Sequence, residues 1–532
     1  MLIFGLAKQS GNGIDTRLVL QHRRSPIRTL CHGLPMRANP KSNFQVAGDA
    51  PLQVAHGLLA LHRGHDELLL ANNIELRPLY VKEGRRYILE FLKAAGELQT
   101  YAKIIAAYPH EAKLMDVMLD YGIIVPHKDG KRILPPGKAL GESPSGKKMR
   151  MSLYLLLSQS CNMACVYCLD GRKSYQTNRN LKMGREVAFR SVERCLEEVA
   201  EGGLLEVLFF GGEPLLNWPL AKEVILHCEK LLGEEHKGKR RLYHFTSNLS
   251  FLPNDLIEWA RKYDISFLCD IDGPPEIHNR CRPFRNGGGT HEATTRTIQQ
   301  MCRAGLKIDL RATITSVNQD HLPETAQHHK DLGGYSSGFV PVVPVNSDES
   351  ILPEELLPSP EKVIGGMTDV YRSKVWKTGE LVPFNQYASR FRPGCPTVVG
   401  CGAACGIVPA VCANGDVYPC IYLVGIRRFH LGNIMNADYP KRELLERLYD
   451  ELHVDHLEDC RQCSWRYICG GSCPLGRLTV SNNPLASAGV KTYCRKIRCD
   501  FSKSVLELLL WEKADETVSG CHEDPVPEPR CA

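Results

Sequence analysis

The feature that most constrains this chain is Cys161-Asn-Met-Ala-Cys165-Val-Tyr-Cys168, set directly after the apolar run Leu153 to Gln159. Three thiolates at C-x3-C-x2-C spacing can converge on one soft metal centre. A four-iron cluster normally takes four cysteines, so three in one loop leave one iron open to a non-protein ligand. Zinc is the alternative reading. Structural zinc takes four ligands, usually from paired C-x2-C knuckles, and His or Asp from elsewhere would complete such a site.

The remaining cysteines also point to metal. There are 22 in 532 residues. The opening residues, MLIFGLAKQSGNG, lack the basic region and the apolar length of a signal peptide. No stretch approaches the roughly 20 apolar residues that cross a bilayer. A soluble, cytoplasmic protein is expected, and a reducing compartment favours metal ligation over disulfides. A net charge of +6 is mild for this length and makes no case for nucleic acid. The isolated Cys31, Cys195, Cys228, Cys269 and Cys302 lie in apolar contexts and read as buried thiols.

Several units are expected at this length. Residues 1–50 show no clear period. From about 51 a small module follows, with short strands in ELLLANN and IELRPLYVK. Helical spacing then runs through YILEFLKAAGE, LQTYAKIIAAYP and HEAKLMDVMLDYGIIVP. This is a winged-helix-like pattern, but its last helix is acidic and lacks the basic groove face of a DNA reader. Residues 127–150 are rich in Gly, Pro, Ser and Lys and read as a linker.

Strand–helix alternation begins at 151. Strands are predicted at Leu153–Gln159, Leu205–Phe210, Leu242–Thr246, Ile265–Ile271, Ile308–Thr315 and Phe339–Val345. They are apolar on both faces, as in a parallel sheet covered by helices. Six such units make a doubly wound sheet or a partial βα barrel. The unusual residues fall at strand ends. The cysteine loop follows the first strand, Gly211-Gly212-Glu213-Pro214 the second and Ser247-Asn248 the third. Asp270-Ile-Asp-Gly-Pro closes the fourth. In a parallel architecture these ends share one face, where sites are built. His328-His329 sit in a polar helix and are expected to face solvent.

C-x3-C-x2-C after the first strand, Tyr167 before the third cysteine and GGEP after the second strand resemble the radical SAM enzymes, over residues 151–345. The resemblance implies that Cys161, Cys165 and Cys168 hold a [4Fe-4S] cluster whose open iron binds S-adenosylmethionine. That molecule is cleaved to methionine and a 5′-deoxyadenosyl radical, which abstracts hydrogen from substrate. Tyr167, Gly211, Gly212, Glu213 and Pro214 then belong to the cofactor site. The two glycines admit close backbone approach to a ligand, and Glu213 can pair with a cationic amino group. Ser247, Asn248 and Asp270 are candidates for the ribose hydroxyls; the family commonly has Ser where this chain has Asp270. Arg282 and Arg311 are candidates for the methionine carboxylate.

Further on, Cys405-x9-Gly415-x4-Cys420 is followed by Cys460-x2-Cys463-x5-Cys469-x3-Cys473 and Cys494. This is similar to the SPASM extension of radical SAM enzymes, which implies two auxiliary [4Fe-4S] clusters, three in all. Cys405, Cys420 and Cys473 would hold the first, with Cys401 as its fourth ligand and Cys395 and Cys412 competing. Cys460, Cys463, Cys469 and Cys494 would hold the second, with Cys499 the alternative to Cys494. A pair of zinc knuckles is the competing interpretation. Ile421 stands where formylglycine-forming members carry an acidic base; Asp416 and His430 are the nearby ionisable candidates.

The expected fold is therefore α/β. It comprises a partial (β/α)6 TIM-like barrel (151–345), a small N-terminal winged-helix-like domain within 1–126 and a cysteine-rich C-terminal iron–sulfur domain (395–513). A connecting segment (346–394) and a disordered tail (514–532) complete it. The expected activity is that of a peptide maturase modifying a ribosomally made precursor by crosslinking, epimerisation or backbone rearrangement. Its leader would be bound by the N-terminal domain through strand addition, and an external electron donor such as flavodoxin or ferredoxin would serve it. The alternatives are a sulfatase-type or quinone-cofactor maturase, or a non-catalytic iron–sulfur electron carrier or zinc scaffold. No nucleic acid or membrane partner is expected.

Overall fold

The computed structural model describes residues 147–168, 181–346, 348–391 and 396–519, together with elements between residues 52 and 126 and two short strands before them. Those two strands, β1 (Gly5–Leu6) and β2 (Leu18–Val19), pair antiparallel. The expectations for Cys31, Cys395, most of residues 127–147 and the chain beyond 519 lie outside the described residues.

The N-terminal unit contains β3 (Leu52–Val54), β4 (Leu58–Arg63), β5 (Glu67–Asn72) and β6 (Leu79–Val81). Three helices follow, α1 (Arg85–Leu98), α2 (Tyr101–Ala107) and α3 (Ala112–Asp120), then β7 (Ile124–Pro126). Strands β4, β5 and β6 form an antiparallel sheet, and β3 pairs with β7. Side chains alternate across a strand, and β5 uses both faces. Leu68 and Leu70 join a core with Ile88, Phe91, Leu114 and Met118 of the helices. Leu69 and Ala71 join a second core with barrel residues such as Ala312 and Val363. The small sheet is thus held between its own helices and the body of the protein.

That body is one ten-stranded sheet. Its central six strands are β8 (Lys148–Ser158), β9 (Val199–Gly211), β10 (Arg240–Thr246), β11 (Ile265–Asp270), β12 (Ile308–Ile314) and β13 (Ser336–Pro341), all parallel and in sequential order. The connecting helices are α4 (Arg185–Glu198), α5 (Trp218–Glu234), α6 (Leu256–Tyr263), α7 (Pro275–Cys281), α8 (His291–Arg303) and α9 (Leu322–Asp331). This is the expected partial βα barrel. One face of the strands carries Leu153, Leu155, Leu157, Val207, Phe209, Phe245 and Phe267, all buried. Phe209 stacks on Phe245 at 4.4 Å and Phe245 on Phe267 at 5.8 Å. Each such buried ring contributes roughly 1.5–3 kcal/mol. Helix α4 covers this face with Ala188, Val192, Cys195 and Leu196, the stripe expected of an amphipathic helix. Alternate positions of the same strands (Ser152, Tyr154, Glu206, His244, Asp309 and Arg311) are polar or amphipathic and only partly buried, and these line the inside.

Four expectations need correction. The segment 346–394 is not a mere connector: α10 (Pro360–Arg372) packs on α9, and β14 (Leu381–Val382) extends the sheet in parallel beside β13. Strand β8 begins inside the expected linker, because Lys148 already pairs with Val199. Past residue 400, β15 (Ala410–Val411) adds in parallel to the other edge, against Tyr154 and Leu155 of β8. Strands β16 (Asp416–Tyr418) and β17 (Gly432–Asn433) continue from it antiparallel. Finally, the last helix runs over Ser502–Ser519, across the expected start of a disordered tail, because Val505, Leu506, Leu509 and Leu510 anchor its first turns in the core with Leu59 and Leu69. No helix among the described residues is long and apolar enough to cross a membrane.

Candidate functional site

The loop 161–168 leaves the end of β8 and is pinned by backbone bonds on two sides. On one, Ala164 N donates to Pro283 O (2.8 Å), Val166 N to Cys281 O (3.0 Å) and Arg285 N to Asn162 O (3.1 Å). On the other, Gly212 N donates to Ser158 O (2.7 Å) and Glu213 N to Ser160 O (2.9 Å). An added Cβ on Gly211 or Gly212 would fall under 3.0 Å from the carbonyl oxygens of Ser158 and Ser160. These glycines therefore admit the backbone of Ser158 and Ser160 that leads into the cysteine loop. Pro214 opens a short 3-10 turn, Pro214–Asn217, whose N-cap is Glu213.

Cys161, Cys165 and Cys168 lie within electrostatic reach of one another. Burial pushes the Cys161 thiol up to about 11 and Cys165 further, so these groups are protonated when bare and need a bound cation to ionise. Among the described residues no three His, Cys, Asp or Glu side chains close to the spacing that a single metal ion requires; the proximity here is looser, and a cube of four irons spans more space than one ion.

The neighbouring strand ends contribute a connected polar set. Glu213 is fully buried and accepts from Ser247 Oγ (2.7 Å), Asn248 N (2.8 Å) and Leu215 N (3.0 Å). Burial raises its carboxyl to about 7 against those three donors. Asn248 Nδ2 donates to Asn162 Oδ1 (2.9 Å) and lies 3.8 Å from Cys161 Sγ. Ser247 and Asn248 are thus engaged with Glu213 and the cysteine loop.

Asp270, Arg282 and Arg311, the candidates for cofactor contacts, are paired with one another. Arg311 clasps Asp270 through Nε (2.6 Å) and Nη2 (3.0 Å). Arg282 bridges Asp270 (3.2 Å) and Asp272 (2.9 Å). Burial opposes ionisation of Asp270, but Arg282 and Arg311 outweigh it and hold the carboxyl at about 2. Asp272 also accepts Tyr167 Oη and Thr313 N (2.9 Å), so it ties the cysteine loop to β12. Sequence reasoning passed over Asp272. The available signal was period two, which puts Asp270 and Asp272 on one side of the chain. His329 also departs from expectation. It is fully buried, bonded to Ser337 Oγ (2.8 Å) and Ile271 O (2.7 Å), while His328 lies 2.9 Å from His291.

A cavity of about 170 Å³ opens at this face. Tyr167, Cys168, Gly211, Arg282, Arg311 and Thr313 line it from the barrel. Ile421 and Tyr422 close it from the C-terminal region. Asp416 and His430, the candidate bases, instead pair with each other at 3.2 Å and are not among the lining residues.

The C-terminal thiols form two groups. Cys420 has Cys401 and Cys473 as electrostatic neighbours. Cys405 is buried and lines, with Cys195, a separate cavity of about 510 Å³ beside α4. In the second group Cys469 has Cys463, Cys460 and Cys499 as neighbours. Cys499, the alternative to Cys494, is thus the one of the two that neighbours Cys460 and Cys469. Cys494 packs in an apolar cluster with Val345, Val480, Val490 and Tyr493. The helix Ala488–Lys496 then widens into a π turn, Ile497–Phe501, which carries Cys499. The two groups share a scaffold, since Thr397 N bonds Tyr467 O (2.7 Å) and Gly400 N bonds Gly470 O (2.6 Å).

Residues 155–328 match the family model described as Radical SAM superfamily. The chain is 23% identical over 359 residues to the cysteine-type anaerobic sulfatase-maturating enzyme of Clostridium perfringens, covering 64% of this chain and 92% of that one. It is 29% identical over 150 residues to the radical SAM cyclopropyl synthase TigE of Paramaledivibacter caminithermalis, covering 26% of this chain and 29% of that one. It shares its fold with the solved structure of native anSMEcpe with bound AdoMet, at a TM-score of 0.55 and 21% identity over 68% of this chain and 99% of that chain.

Proposed function

We propose that this chain, which belongs to the radical SAM superfamily through residues 155–328, is an enzyme that removes a hydrogen atom from a residue of a ribosomally made peptide. Cys161, Cys165 and Cys168 would hold the [4Fe-4S] cluster; their mutual proximity and the bonds that fix their loop suit that group. Bound there, the cluster and S-adenosylmethionine supply the radical that takes the hydrogen atom. Glu213, buried beside the cysteine loop, would accept the cofactor's ammonium group. Arg311, clasped on Asp270 and facing the cavity, is the stronger of the two arginine candidates for a carboxylate, because Arg282 is spent on two aspartates.

The observation that carries the reading is the cavity closed jointly by the cysteine-loop face and by Ile421 and Tyr422. A substrate residue would enter there, between the cysteine loop and the C-terminal region. Two auxiliary clusters are proposed in the C-terminal region: one on Cys405, Cys420 and Cys473 with Cys401, the other on Cys460, Cys463, Cys469 and Cys499. The antiparallel sheet β4–β5–β6 supports a peptide substrate, because β4 and β6 are its edges and an extended leader can add to such an edge.

A sulfatase-type maturase is the second reading, favoured by the relative from Clostridium perfringens. Against it, Ile421 presents an apolar side chain to the cavity, where a base would be needed. The test is anaerobic reconstitution followed by assay of 5′-deoxyadenosine and of peptide mass. The peptides are a cysteine sulfatase-motif peptide and the product of a short reading frame beside this gene. Modification of the second peptide with 5′-deoxyadenosine release is expected. Conversion of the first to formylglycine would establish the alternative, and zinc content with no cofactor cleavage would overturn both.

A further inference from the structure

We infer that Arg498 sets the reduction potential of the iron–sulfur groups on the C-terminal cysteines, acting as a buried cation between them. The inference rests on the reading that those cysteines hold clusters. Arg498 belongs to the π turn Ile497–Phe501 and directly precedes Cys499 of the second group. It is also an electrostatic neighbour of Cys473, in the first group. Its side chain is only 9% exposed. It therefore stands by both groups, and it carries a fixed charge.

The surrounding charges leave that cation uncompensated. Asp459, next to Cys460, accepts Arg498 at 3.0 Å and Arg477 at 3.2 Å. Two guanidiniums share one carboxylate, so the set keeps a net positive charge. Arg477 in turn is a neighbour of Cys460. The ion-pair chain therefore reaches from one thiol group to the other.

The hydrogen bonds are incomplete in the same place. The Nε atoms of Arg477 and Arg498 are buried and have no hydrogen-bond partner among the described residues. A buried donor left unmade costs about 1–3 kcal/mol, and such orphans in native structures usually have a partner of another kind. Thiolate and sulfide are acceptors, and a guanidinium N–H is a strong donor. A thiolate-ligated cluster is anionic and becomes more so on reduction. A fixed cation and an N–H donor at its sulfurs both favour the reduced form and raise the potential.

The experiment is a redox titration of the reconstituted full-length protein, followed by electron paramagnetic resonance. The variants are Arg498→Gln and Arg498→Lys, with iron and sulfide counted for each. Arg498→Gln should keep the wild-type iron count and move an auxiliary midpoint to more negative potential. Arg498→Lys, which retains the charge but not the Nε geometry, should fall between the two. An unchanged midpoint in Arg498→Gln with iron intact would overturn the inference alone. Loss of iron in both variants would make Arg498 a structural residue and overturn it too. About four irons in the wild type, rather than about twelve, would overturn the cluster reading and this inference with it.

Discussion

Replacing Gly211 by alanine probes the joint between β9 and the cysteine loop. Gly211 has φ 127°, where an L side chain is strained by roughly 1–3 kcal/mol. The new Cβ would also fall under 3.0 Å from Ser158 O. That oxygen accepts the Gly212 amide at 2.7 Å, so moving it to relieve the overlap weakens a bond worth about 1 kcal/mol. The total is about 2–4 kcal/mol, concentrated where the cysteine loop departs. At about 2–4 °C per kcal/mol for a large domain, Tm should fall by about 4–16 °C. A displacement of about 1 Å at a reacting group costs on the order of a hundredfold in rate, so 5′-deoxyadenosine formation should fall by about that factor. Thermal unfolding and product quantification on the iron-loaded protein measure both effects. Gly233→Ala is the control. Gly233 is exposed on α5 with nothing within 4 Å of an added Cβ, and the change should stabilise by about 0.5–1 kcal/mol. Wild-type Tm and product yield in Gly211→Ala would refute the argument.

Three further outcomes are expected. Asp272→Ala strips the acceptor from Tyr167, Arg282 and Thr313 and leaves a buried guanidinium short of a partner; chemical denaturation should show a loss of about 3–5 kcal/mol. Cys499→Ala should lose about four irons, the content of one cluster, while Cys494→Ala keeps its iron and loses only core packing; equal iron contents would undo the assignment of Cys499. Glu213 has a folded pKa of about 7 against an ordinary 4.5. Its protonated form therefore adds stability that is full below 4.5 and lost as pH rises through about 7. The cofactor's ammonium pairs with the ionised form, so S-adenosylmethionine should bind more tightly as pH rises through that range, and Glu213→Gln should flatten the curve in equilibrium dialysis.

The barrel is legible in the sequence because each strand carries an apolar face and distinctive polar and Gly-rich residues fall at the strand ends. Proximity of the strand ends is legible too, but the partners are not. Asp270 and Arg311 look like two ligand contacts in sequence; in space one neutralises the other. The glycines of GGEP signal close approach without saying what approaches. Cys494 and Cys499 show a limit of spacing arithmetic. It assumes a regular helix, whereas Cys494 lies on the helix Ala488–Lys496 and Cys499 within the π turn Ile497–Phe501. His329 lies on a helix of polar composition, and only the contact with Ile271 O reveals that its imidazole is a buried tie. The two-residue strands β14 and β15 carry too few residues to show a period.

Strand β15 has a consequence for how this protein can be cut. By pairing in register with Tyr154 and Leu155 it covers part of the outer edge of the eleven-residue β8. A fragment ending before residue 400 would bare that edge, with its row of unpaired amides and carbonyls beside leucines, and such edges recruit other chains. The cysteine-rich region is thus a guard against self-association as well as a holder of thiols. Grafting it onto another barrel, or expressing this barrel without it, means replacing a strand.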